Sequence, residues 1–422
     1  MYWTKDAPAR NTCPHCSALF KSSQAKPIQE RTRETNMTSS LTSFSYHNPT
    51  AIEFGWGALA RLPDLVKSVG GRRALVVGDP GVAQAGLVNR VVAALGEAIP
   101  VTTFTDVESD PDARSVDAGV QLARSRECDV IIGIGGGSAM DVAKVIGVML
   151  TNPGNIRDYN GMGKIGKPGA PVIAIPTTSG TGSELTIWSV LSDKEKKTKF
   201  GVGSILNCAR VALLDPELTM SLPPAITAAT GIDALTHALE SYVNTATQPI
   251  SEAMSEQSMA LIARSLRLAV AQPGNKEARA DMLLASTIAA MAFNSTRLGL
   301  AHAFAMPLGS RFHIPHGLAN AIMLPGVMRF NLPGNVAKFA RIAQIFGERT
   351  EGLSLREAAE RSVMAIRQLQ ADVGITAKLG DFGMTEADLH EVAAESMLSG
   401  NVAVNPRKPT LDDMKALLRA EL

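Results

Sequence analysis

At Ser221-Leu222-Pro223-Pro224 the hydrophobic pattern of this chain changes its period. Before that point, short apolar runs alternate with segments of helical spacing. After it, nearly every segment has helical spacing. Strands alternating with helices imply a parallel sheet covered on both faces. A run of amphipathic helices buries its apolar stripes by packing helix on helix. The 422 residues also exceed one ordinary domain. The predicted fold is an α/β N-terminal domain with a Rossmann-like parallel sheet over 41–222, then an all-α domain over 223–422.

In the first half, Arg73-Ala-Leu-Val-Val-Gly78-Asp79 reads as a buried strand ending in a Pro80-Gly81 turn. Val82 to Leu95 reads as a helix, Val101 to Thr105 as a strand and Ser115 to Arg126 as a helix. Asp129 to Ile134 is an apolar strand, and Gly135-Gly136-Gly137-Ser138 opens into a helix over Ala139 to Leu150. Pro171 to Ile175 is a further strand, ending in Pro176-Thr177-Thr178-Ser179-Gly180-Thr181. Trp188 to Phe200 and Val211 to Leu214 add strand-like pieces. A glycine turn between strand and helix lets a backbone approach a pyrophosphate, and the helix N-terminus offers free N–H groups. The threonines end another strand, at the sheet edge where open α/β folds bind ligands. Ser138 stands where the usual dinucleotide fingerprint has its third glycine. Asp79 can accept from ribose hydroxyls, yet it precedes the glycine loop, whereas the usual acid follows it by about 20 residues.

The helical half holds four of the seven histidines between Gly231 and His316. Asp233 and His237 are four apart and share one helix face. His302 and His316 are fourteen apart, about 21 Å along a straight helix at 1.5 Å per residue. Metal–imidazole bonds are about 2.0–2.1 Å, so one straight helix cannot supply both as ligands. Pro307, Gly309 and Pro315 are expected to break the helix and fold the chain back. Ser251 to Val270, Ala278 to Asn294, Val336 to Phe346, Ser354 to Val373 and Thr385 to Ser399 read as further helices. One carboxylate with three imidazoles suits a first-row divalent ion, Fe(II) or Zn(II).

Net charge is +1, so no broad basic field favours nucleic acid. No run of about 18 apolar residues suggests a membrane span. Four cysteines are too few for a disulfide framework and fit a reducing cytoplasm. Residues 1–40 are polar and aperiodic and read as a disordered extension. Cys13, His15 and Cys16 offer only three ligands where structural zinc takes four. No apolar secretory segment is present, and initiation at Met37 is compatible with the pattern.

Five stretches together resemble the iron-containing (group III) alcohol dehydrogenase family. They are G-I-D-A-L-T-H-A-L-E at 231–240, L-G-L-A-H ending at His302 with P-L-G after it, I-P-H-G-L-A-N-A at 314–321, G-G-G-S-x-x-D at 135–141, and P-T-T-x-G-T at 176–181. The resemblance runs from about Ser45 to the C-terminus. It implies a dehydroquinate synthase-like two-domain architecture and hydride transfer between NAD(H) and a small alcohol or aldehyde. It implies a metal held by Asp233, His237, His302 and His316. Asp79 would hold the adenosine ribose, and Gly135, Gly136, Gly137 and Ser138 the pyrophosphate, with Asp141 in the same motif. Thr177, Thr178 and Thr181 would line the adenine and phosphate region, and Lys199 would reach a ribose hydroxyl. A homodimer or larger homo-oligomer is also implied.

Two positions depart from the family pattern. Met306 stands where many members carry a second histidine, four after the first. Arg297 stands where small residues are common and could meet an anionic substrate or a salt-bridge partner. With Met306 unable to carry a proton, His313 is the candidate proton carrier. Two rival readings are a dehydroquinate synthase-like lyase and a nucleotide-binding protein of weak turnover.

The Asp79 carboxylate repels a 2′-phosphate, so the sequence predicts NAD(H) over NADP(H). Asp79→Gly is expected to relax that preference, measured as the ratio of kcat/KM for NADH to that for NADPH. Equal use of both cofactors by the unmutated chain would remove Asp79 from this role.

Overall fold

The computed structural model describes residues 43–422 except Lys196 and Lys197. The extension read over 1–40, the Cys13–Cys16 pair and Met37 lie outside the described residues. Among the described residues nine strands precede residue 215: β1 (Ala51–Phe54), β2 (Ala74–Val77), β3 (Val101–Phe104), β4 (Val130–Gly135), β5 (Gly161–Met162), β6 (Val172–Pro176), β7 (Trp188–Asp193), β8 (Thr198–Gly203) and β9 (Val211–Leu214). Six form one sheet in the order β1-β9-β6-β4-β2-β3, and every neighbouring pair is parallel. From β2 the chain steps outward to β3, then returns past β2 to β4 and continues the other way. The C-terminal ends of β2 and β4 therefore form the switch point where open α/β sheets bind ligands.

Alternation along the strands sends side chains to two cores. Val76, Ile132 and Ile173 meet the helices Leu62–Ser68 and Leu87–Leu95 on one face. Leu75, Ile131 and Ala174 meet Ala113–Ser125 and Gly137–Thr151 on the other. All six residues of β4 are buried, which explains a sequence without polar alternation. β7 and β8 form an antiparallel hairpin, and β5 pairs with β8, making a separate three-stranded sheet. β1 has no counterpart in the sequence reading. It is an edge strand with three of four residues exposed, so its sequence carries no burial pattern.

From Pro224 onward the described residues form helices and short helical turns. The helix Pro224–Val243 is buried continuously from Gly231 to Val243. Around it pack Pro249–Ala271, Lys276–Thr296 and His316–Asn331, among others. Buried Arg279 pins the junction between the halves, donating to the Leu222 carbonyl at 3.1 Å and to Thr227 Oγ1 at 2.9 Å. The N–H of Ile187 donates to Asn294 Oδ1 at 3.0 Å, and Thr287 Oγ1 donates to Glu184 Oε1 at 3.2 Å, joining loop to helix across the halves.

Several helix limits differ from the sequence reading. Val82 to Leu95 is two helices, Pro80–Gln84 and Leu87–Leu95, because Asp79 caps the first and Gly86 leaves the helical region at φ 76°. Pro307 and Gly309 do not break their helix, which runs from Leu300 to Phe312. A proline inside a helix loses one N–H and one carbonyl partner, and here the neighbouring turns continue past it. The reversal comes at His313, which adopts φ 55°, followed by Ile314 and Pro315. Thr385 to Ser399 is a short 3-10 turn, Glu386–Asp388, and then a helix, Leu389–Ser396. Among the described residues, no helix is long and apolar enough to cross a membrane.

Candidate metal and dinucleotide site

Asp233, His237 and Glu240 lie on Pro224–Val243 at spacings of four and three, so all three project from one face of a buried helix. Buried polar groups need partners, and each has them. His237 Nδ1 is 3.2 Å from the Gly180 carbonyl. A carbonyl only accepts, so Nδ1 carries the hydrogen and Nε2 keeps its lone pair. Burial pushes the His237 imidazolium down to about 3, against the pull of Asp233, so the ring is neutral at ordinary pH. Its ring stacks on Phe293 at 4.4 Å and on His302 at 4.6 Å between centroids.

Glu240 accepts from the N–H of Gly299 at 2.8 Å and of Ala301 at 2.7 Å, satisfying the start of the helix that carries His302. Its Oε2 also receives His302 Nδ1–H at 2.7 Å. His302 thus presents Nε2 toward Asp233, 3.7 Å from Oδ1. A carboxylate–imidazole pair of this kind sets ring orientation and tautomer in metal centres. His316 begins the next helix, and its Nε2 is also 3.7 Å from Asp233 Oδ1. Gly317 permits this approach, since a Cβ there would come within 2.6 Å of the Ala229 carbonyl oxygen. Burial opposes charge on Asp233, but the imidazoles of His237, His316 and His302 and the Asn320 amide hold its carboxyl below the usual range.

Ligand atoms of Asp233, His237 and His302 lie within 4.8 Å of one another. His316 joins through Asp233, and its side chain is 43% exposed on the open side of the cluster. The donor set fits a divalent ion: one carboxylate oxygen and three imidazoles, two of them with Nδ1 already engaged. The sequence reading missed Glu240 and Asn320 as parts of the centre. The spacing 233, 237, 240 was the available signal for Glu240.

Asp79, Gly135 to Ser138 and Thr177 to Thr181 gather at the switch point, whereas Asp141 and Lys199 do not. Asp79 Oδ1 caps its helix through the Val82 N–H at 2.9 Å. Gly135 has φ 146°, and a Cβ there would meet Ala139 at 2.8 Å and Asp79 Oδ2 at 3.1 Å. Only glycine fits so strained and close a position. Thr178 lies beside Gly136 and Thr181 beside Gly137, while the Thr177 N–H donates to the Gly135 carbonyl at 3.0 Å. The helix Gly137–Thr151 starts without a side-chain cap, which leaves N–H groups for an anion. Ser138 Oγ donates to the Ser109 carbonyl. Asp141 is used internally: it accepts from Ser183 Oγ and the Val190 N–H and pairs with buried Lys144 at 3.4 Å. Lys199 pairs with Asp110 at 2.6 Å and lies against Gly309 of the His302 helix. His313 is exposed, and no described hydrogen bond joins it to the cluster. Arg297 is exposed and donates to the Gly400 carbonyl at 3.4 Å.

A parallel sheet with a glycine loop at its switch point, joined to helices that bury a carboxylate among imidazoles, suits a dinucleotide-linked, metal-dependent enzyme. Residues 49–216 match the family model described as iron-containing alcohol dehydrogenase, and residues 227–422 match the C-terminal model of the same family. The chain belongs to the iron-containing alcohol dehydrogenase family. It is 41% identical over 383 residues to 1,3-propanediol dehydrogenase of Citrobacter freundii, covering 90% of this chain and 99% of the relative. The crystal structure of a 1,3-propanediol oxidoreductase superposes with a TM-score of 0.89 at 40% identity, over 90% of this chain and 100% of the other. Sulfoacetaldehyde reductase from Bifidobacterium kashiwanohense, solved in complex with NAD+, superposes with a TM-score of 0.82 at 33% identity, over 90% and 99%. These relatives are named dehydrogenases, oxidoreductases and reductases, and they favour an alcohol dehydrogenase/aldehyde reductase over the lyase.

Replacing Glu240 by Gln turns an amide donor toward groups that themselves donate. Glu240→Gln is expected to lower the unfolding free energy of the metal-free protein by about 3 kcal/mol, the scale for charged hydrogen bonds and an orphaned buried donor. The check is the urea midpoint at constant slope. An unchanged midpoint would show that the carboxylate does not hold these helices.

Proposed function

We propose that this chain oxidises a small primary alcohol and reduces the matching aldehyde. NAD(H) would be held by Asp79, by the glycine loop Gly135 to Ser138, by Thr177, Thr178 and Thr181, and by Lys199. Fe(II) or Zn(II) is held by Asp233, His237, His302 and His316. The observation that carries the reading is the fixed tautomer of two buried rings: the Gly180 carbonyl and Glu240 take both Nδ1 hydrogens and leave Nε2 lone pairs beside Asp233. Bound there, the ion supplies Lewis acidity to the substrate oxygen. The dinucleotide supplies or accepts the hydride.

The remaining work belongs to the protein. Asp233 contributes the one negative charge among the ligands and so moderates the acidity of the centre. Gly135 lets the backbone approach the pyrophosphate, and Asp79 receives ribose hydroxyls. Lys199, which reaches from β8 to the helix of His302, would donate to a ribose hydroxyl of the bound dinucleotide. Met306 cannot accept a proton. His313, exposed at the turn three residues before His316, carries the alcohol proton to solvent in this reading. Arg297 is engaged with Gly400 and offers no support for an anionic substrate. The strand β1, with Ile52 and Phe54 exposed on a sheet edge, supports a homo-oligomer. Free Cys128 and Cys208 suit a reducing cytoplasm. The stretch near residue 222 serves as the boundary between dinucleotide and metal domains.

The test is NADH oxidation by protein loaded with Fe(II) or Zn(II), across a panel of small aldehydes. His237→Ala and His302→Ala should lose stoichiometric metal and turnover while still binding NADH, read by fluorescence titration. Wild-type turnover in metal-free His302→Ala protein would refute the site. His313→Gln should keep metal and NADH but lower kcat for alcohol oxidation by roughly 10²-fold. A wild-type kcat would leave water or cofactor hydroxyls as the proton path.

A further inference from the structure

Asn320 is fully buried on the helix His316–Asn331, one turn after His316. Its Nδ2 is 2.7 Å from Asp233 Oδ1, 3.0 Å from His302 Nε2 and 3.2 Å from His316 Nε2. Two amide hydrogens thus face three acceptors carried on three helices. Its Oδ1 is buried and accepts no hydrogen bond from the described residues. The acceptors around Nδ2 set which way the amide faces. A half-turn about the side chain would put Oδ1 against the Asp233 carboxylate oxygen and the His302 Nε2 lone pair, three acceptors with no hydrogen between them.

We propose that Asn320 is a positioning residue of the metal centre. Its amide holds the acceptor atoms of Asp233, His302 and His316 converged, so that little rearrangement remains when an ion enters. This rests on the reading of those residues as ligands. An imidazole nitrogen has one lone pair, so the bonds to His302 and His316 give way to the ion. A carboxylate oxygen has two, so the shortest bond, to Asp233, persists beside it. His316 gains most from this support: its side chain is 43% exposed and it begins its helix. Groups that orient ligands in this way commonly change metal affinity 10–100-fold.

The experiment uses Co(II) alone as probe, in the full chain after metal removal. Loss of Co(II) binding in His302→Ala first establishes the site; if His302→Ala binds Co(II) as the unmutated chain does, the ligand reading fails rather than the role of Asn320. Asn320→Leu keeps similar volume without a donor, and Asn320→Ala only removes atoms, so one remains testable if the other fails to fold. Both should bind Co(II) roughly 10–100-fold more weakly. Their visible absorption should shift in position or intensity, because it reports ligand geometry, while NADH affinity stays unchanged. Co(II) affinity within about threefold of the unmutated chain with an identical spectrum would overturn the proposal. Tighter Co(II) binding would overturn it too, by showing that the amide competes with the ion.

Discussion

The carboxylate of Glu240 takes three N–H groups in a place that water does not reach. Removing a charge from water is costly unless donors replace the solvent. Here the donors come from the first turn of one helix and from one imidazole, so satisfying the charge also sets where that helix starts and which way His302 turns. Asp233 and His237, further along the same face, impose like demands and draw in Asn320 and the Gly180 carbonyl. The arrangement of helices around Pro224–Val243 follows from the need to partner three polar groups on a helix buried on all sides.

The sheet obeys a simpler rule, which is why most of it was readable in advance. Short apolar runs bounded by glycine and proline marked β2, β4 and β6, and the glycine turn after β4 falls at the switch point. The main reversal of period at Pro223-Pro224 coincides with the last strand and the first long helix. β1 escaped because an exposed edge strand has no burial pattern to show. β7 and β8 read as strands, but nothing in their residues says that they leave the main sheet.

That Asp233, His237, His302 and His316 would gather was legible because carboxylate and imidazoles at such spacings are uncommon in a chain with seven histidines. Their supports were not. Glu240 looks like any helix glutamate, and Asn320 like any buried amide, until the third dimension shows what each touches. Pro307 misled in the other direction, since a proline mid-helix signals a break by propensity, whereas packing of Phe304 and Leu308 in the helical core keeps this one continuous. Asp141 matched a motif, yet its carboxylate braces Ser183, Val190 and Lys144. A matching position reveals residue identity but not which neighbour claims its oxygen atoms.

The bonds that shape the centre close long stretches of chain. Gly180 and His237 are 57 residues apart, Glu240 and His302 62, and Asp233 and Asn320 87. Closing each loop costs entropy that grows with its length, and no local turn helps. Contacts of such sequence separation form slowly and late compared with helix turns. No fragment lying wholly on either side of Pro223 contains all the atoms that orient the two buried rings. The ligand-ready geometry is a property of the completed chain, and ion binding in a folding experiment would report the last tertiary contacts rather than the first.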